Sequence, residues 1–66
     1  MRIRLNGAEK DVEPGVTIGR LVDGVVVDRS RVAVERNKEI VPRATFDDAP
    51  VAEGDVIEIV TLVGGG

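Results

Sequence analysis

Apolar and polar residues alternate near both ends of this chain. In "MRIRL", Ile3 and Leu5 fall on one face and Arg2 and Arg4 on the other; in "DVIEIV", Ile57 and Ile59 alternate with Val56, Glu58 and Val60. A period of two marks a strand with one buried face. Two such strands in a chain of 66 residues leave room for one sheet and one thin core. The economical solution sets the first and last strands side by side at its centre. Arg2 and Arg4 would then lie opposite Glu58 on the outer face, a favourable cross-strand match.

The stretches between these ends supply the rest of the layout. Asn6-Gly7 is a hairpin signal, because both residues tolerate positive φ, and "AEKDV" returns as a short polar edge strand. Pro14-Gly15 breaks it. Thr17 is placed to cap a helix in which Ile18, Leu21, Val22 and Val25 recur at helical spacing. Gly19 costs that helix about 1 kcal/mol relative to alanine, and Gly24 closes it. So weak a helix has to be held by packing on the sheet. Val32 and Val34, then Ile40 and Val41, give two further strands around a tight turn at Asn37-Lys38. A polar segment bounded by Pro42 and Pro50 reads as a surface loop or a single helical turn, with Phe46 folding back into the core, and Gly54 occupies a turn before the last strand. Thirteen valines, stiff at χ1, agree with a β-rich fold. The order predicts an α+β domain: a mixed sheet with one helix packed across one face.

The inventory excludes much chemistry. Without cysteine or histidine there are no disulfides, no thiolate or imidazole metal sites and no Ser–His–Asp triad. A net charge of −3 with no basic run does not suit nucleic acid. No apolar run approaches the length of a membrane span, and the first residues lack the apolar core of a signal peptide, so a cytoplasmic protein is expected. Asp47-Asp48 reads as solvated loop, with no third ligand spaced to complete a calcium loop. "GVTIG" lacks the Lys-Ser/Thr ending of a phosphate loop. Ser30 has no base to activate it. No catalytic residue and no bound metal or cofactor is expected.

The final stretch, "VTLVGGG", is a candidate of another kind. Val60 and Leu62 lie on the strand face away from the core and, with Val63, form a candidate partner-binding surface. Gly64, Gly65 and Gly66 follow at once. Without Cβ atoms they can lie extended in a channel too narrow for other residues and leave the α-carboxylate of Gly66 unhindered. Such a carboxylate is suited to attack on the α-phosphate of ATP in another protein's active site. The expected division is a folded domain over 1–63 and a flexible tail over 64–66.

"NG" after the first strand, "TIGRLV", "RVAVERNKEIVPR" and "GDVIEIVTLVGGG" together resemble the ThiS family, the ubiquitin-like β-grasp sulfur carriers of thiamine biosynthesis. The resemblance spans nearly the whole chain. It implies that a ThiF-type enzyme, using ATP and Mg²⁺, adenylates the Gly66 carboxylate, and that the adenylate becomes a thiocarboxylate. Sulfur would then pass to a ThiG-type thiazole synthase. Gly64 and Gly65 would thread the tail, and the protein would be a substrate of enzymes, monomeric when free. Lys38 departs from the glycine expected after Asn37. The alternatives are a molybdopterin-synthase small subunit, which shares the fold and the glycine end, and a β-grasp binding module that needs no free carboxylate.

Overall fold

The alternating segments form strands because each has one face that only the core can take. In the computed structural model, which describes residues 1–62, β1 (Arg2–Leu5) and β2 (Ala8–Asp11) make the first hairpin. Asn6 and Gly7, at φ 50° and 85°, turn it with the backbone twist that a two-residue hairpin needs. The helix α1 (Ile18–Asp23) starts at Thr17, whose Oγ1 accepts from the Arg20 N–H. A short 3₁₀ turn, Arg29–Arg31, leads into β3 (Val32–Arg36) and β4 (Glu39–Ile40). A longer 3₁₀ segment, Arg43–Asp48, precedes β5 (Val56–Thr61).

The sheet order is β2-β1-β5-β3-β4. β1 and β5 run parallel at the centre, and the other pairings are antiparallel. The expected central pair is therefore present, and β2 is the polar edge. One detail differs. Arg4 stands beside Val56, Arg2 pairs instead with Asp11 and Glu9, and neither arginine forms an ion pair with Glu58. The parallel register, which alternation alone does not set, offsets Glu58 from Arg4 along the strand.

The core lies between the inner sheet face and α1. It contains Ile3, Val32, Val34, Ile57 and Ile59 from the sheet, Ile18, Leu21 and Val22 from the helix, and Phe46 and Val51 from the loops. Phe46 is fully buried, the expected plug from the polar loop. Val25 does not join this face. The helix ends at Asp23, so Val25 falls in the exit turn and is half exposed. Gly24 closes the helix as expected, but at φ −77°, an ordinary right-handed value.

No helix among the described residues is long and apolar enough to cross a membrane. The expected boundary between domain and tail, at residues 63 and 64, lies outside the described residues.

Candidate functional site

β5 is the strand from which the candidate tail departs, so its anchoring decides how that tail is presented. The strand lies between β1 and β3, and its inner side chains, Ile57 and Ile59, are buried in the core. Two turn asparagines hold its backbone. The Ile59 N–H donates to Asn6 Oδ1 at 2.8 Å, and the Val56 N–H donates to Asn37 Oδ1 at 2.9 Å. Both asparagines sit at positive φ, so each residue makes a turn and anchors the central strand.

Asp55 locks the start of β5. It is 8% exposed and accepts from the Ala52 N–H at 2.8 Å, Asn37 Nδ2 at 3.1 Å and Arg36 Nε at 3.1 Å. Burial pushes its pKa up, but the hydrogen bonds from Ala52, Asn37 and Arg36 outweigh that, and the net shift is downward. Arg36 also donates to the Pro50 carbonyl. One side-chain network therefore joins the β3–β4 turn, the loop before β5 and the strand itself.

At its other end β5 pairs through Thr61 with Val32, and the Leu62 N–H donates to the Arg31 carbonyl. The ladder thus continues one residue past the strand. Val60 is 56% exposed and Leu62 48%, so both side chains are open to solvent. Val63, Gly64, Gly65 and Gly66, the rest of the expected site, lie outside the described residues.

The other candidates have structural explanations. Asp47 is bound by Arg29, whose Nη1 and Nη2 donate to it at 3.0 and 2.9 Å while Nε and Nη2 donate to Asp23 at 2.9 Å. Hydrogen bonding to this guanidinium lowers the pKa of both aspartates. The clamp crosses directly over Gly19, where a Cβ would meet Asp47 Oδ1 and stand 2.7 Å from Arg29 Nη2. The Ser30 hydroxyl donates to Asp28 at 2.7 Å, and Asp28 caps the 3₁₀ turn by accepting from the Ser30 N–H. No group of three or more acidic residues capable of holding a metal occurs among the described residues. A cleft of about 510 Å³ lies between β2 and the start of α1, lined by residues 10–17, Arg20 and Leu21, and touches no residue of β5.

Sequence reasoning assigned Asn6 and Asn37 to turns and missed their bonds to β5. It also missed Asp55 and Arg29 as network centres. Only the Asn-Gly and Asn-Lys turn signals pointed to any of these positions.

The ThiS family profile matches residues 3–66. The chain is 40% identical over 67 residues to the sulfur carrier protein ThiS of Bacillus subtilis, covering 97% of this chain and 98% of that one. It is 41% identical over 66 residues to a thiazole synthase of Paramagnetospirillum magneticum, and there it spans 20% of the longer protein's length. The crystal structure of the thiamine biosynthesis protein ThiS from Geobacter metallireducens superposes with a TM-score of 0.82 at 30% identity, covering both chains completely. The ubiquitin-like β-grasp fold and sequence similarity along nearly the whole length agree, and the chain belongs to the ThiS family.

Proposed function

We infer that this chain is a sulfur carrier protein of thiamine biosynthesis, with the α-carboxylate of Gly66 as the group that carries sulfur. The carboxylate oxygen attacks the α-phosphorus of ATP in a ThiF-type activating enzyme, where Mg²⁺ also belongs. The bond to the β-phosphate breaks and pyrophosphate leaves. Sulfur then displaces AMP from the acyl carbon to give a thiocarboxylate, a soft nucleophile that stays tethered until it reaches a ThiG-type thiazole synthase. Gly64 and Gly65 let the tail thread into both enzymes, while Val60, Leu62 and Val63 seat the domain at the entrance. The chain supplies the reacting carboxylate and leaves the chemistry of activation to its partners.

The observation that carries this reading is the anchoring of β5. A central strand held at Val56 and Ile59 by asparagine side chains leads through the exposed Val60 and Leu62 toward the glycines. A carrier needs such a rigid base, because the enzyme must locate a carboxylate on a chain that offers it no side chains.

The test is intact mass after incubation with a ThiF-type enzyme, ATP, Mg²⁺ and a sulfur donor. Exchange of one oxygen for sulfur is the expected result, and an unchanged mass with a competent enzyme sinks the reading. Removal of Gly66 abolishes the exchange while the melting temperature stays within about 2 °C of the parent, the range of a surface change in a domain this small. The thiocarboxylate form then supports thiazole formation with a ThiG-type synthase, which a molybdopterin-type carrier would not.

A further inference from the structure

One cross-strand pair on the outer face of the sheet breaks a rule that its neighbours keep. Glu35 and Glu58 stand directly opposite each other in the antiparallel β3–β5 register. Like charges so placed destabilise a sheet. No ion pair among the described residues includes Glu35 or Glu58: Arg2 pairs with Glu9 and Asp11 farther along the same face, Arg29 with Asp23 and Asp47, and Arg36 with Asp55. Arg4, set by the register beside Val56 on this face, pairs with neither glutamate.

Exposed aliphatics surround the two acids. Val56 and Val60 flank Glu58 along β5, Ile40 pairs with Glu35 from β4, and Leu62 continues the line; they are 42%, 56%, 66% and 48% exposed. The aliphatic strip has the character of a docking surface, and the acid pair at its centre specifies what docks.

We propose that this face receives the surface of the activating enzyme at a patch where one arginine projects from among apolar side chains, its guanidinium bridging Glu35 and Glu58. Arginine fits better than lysine. Its planar fork can donate to two carboxylates at once, and its weaker hydration suits an apolar surround. A second copy of this chain fits poorly: a two-fold axis through the strip would set four carboxylates together. The inference rests on the sulfur-carrier reading and adds to it the chemistry of the partner's contact.

The experiment is carrier-dependent pyrophosphate release by a ThiF-type enzyme, with the carrier as varied substrate. Glu35→Gln/Glu58→Gln raises KM at least about tenfold, as expected on losing a desolvated charge contact, while kcat changes less than about twofold. Added salt raises KM for the parent and much less for the double variant. The variant melts at or above the parent's temperature, because the repulsion is gone, so a folding defect cannot imitate the result. KM within about twofold of an active parent, or a parent that sediments as a dimer through this face, overturns the proposal and leaves the carrier reading standing. A parent that releases no pyrophosphate defeats the carrier reading, and the proposal falls with it.

Discussion

Two glycines, Gly19 within the short helix and Gly24 closing it, respond differently to substitution. At Gly19 an alanine methyl would strike the Arg29–Asp47 clamp. Gly19→Ala is expected to forfeit most of alanine's gain of about 1 kcal/mol in helix propensity, because the exposed ends of Asp47 and Arg29 must swing aside and their ion pair is weakened. At Gly24 the backbone is right-handed, and an added Cβ would come no closer than 3.5 Å to the Leu21 carbonyl. Gly24→Ala should therefore stabilise the fold by up to about 1 kcal/mol. Urea titrations of both variants check the pair. Propensity alone ranks the two substitutions alike, since the arginine that distinguishes them arrives from ten residues away. Lys38 is the third case. It adopts φ 72°, where a side chain is strained, and Lys38→Gly is expected to stabilise by roughly 0.5–1 kcal/mol.

At the scale of elements, the strands and their order were legible because alternation is a local signal: a residue's face follows from its neighbours two positions away. The same signal correctly assigned Ile57 and Ile59 to the core and Val60 to the surface. Side-chain anchors leave no such trace. Asn6 accepts a hydrogen bond from Ile59, 53 residues along the chain, and its only sequence signature is the turn it also makes. The parallel register of β1 and β5 was equally hidden, which is why Arg2 and Arg4 were expected at Glu58. Of the candidate site, the exposed end of β5 was legible and the means of its anchoring was not. Asn37 gives the anchoring a test. Asn37→Ala removes the bonds to the Val56 N–H and Asp55 and places alanine at φ 51°, so a loss of about 2–3 kcal/mol is expected. Amide exchange localises the effect: Val56 should lose protection well before Ile59. If both amides open together, the two asparagines do not act as separate anchors.

For the whole molecule, the charge pattern sets how the fold responds to acid. Asp23, Asp28, Asp47 and Asp55 all have pKa values lowered in the folded state. A carboxylate with a lower pKa folded than unfolded stabilises the fold above its unfolded value of about 4, and that stabilisation is lost as pH falls through the folded value. The first three are exposed and contribute little each. Asp55 is buried, and three donors would lose their acceptor if it were protonated. The chain has no histidine, the side chain that ordinarily titrates near neutrality. The melting temperature is therefore expected to be flat between about pH 6 and 8 and to fall steeply below about pH 4. Asp55→Asn separates the contribution of this one group: it lowers the plateau, because an amide cannot accept from all three donors as well as a carboxylate, and it makes the acid limb shallower. Melting curves across pH for parent and variant decide the matter, and acid limbs of equal slope would move the origin of acid sensitivity from Asp55 to the surface pairs.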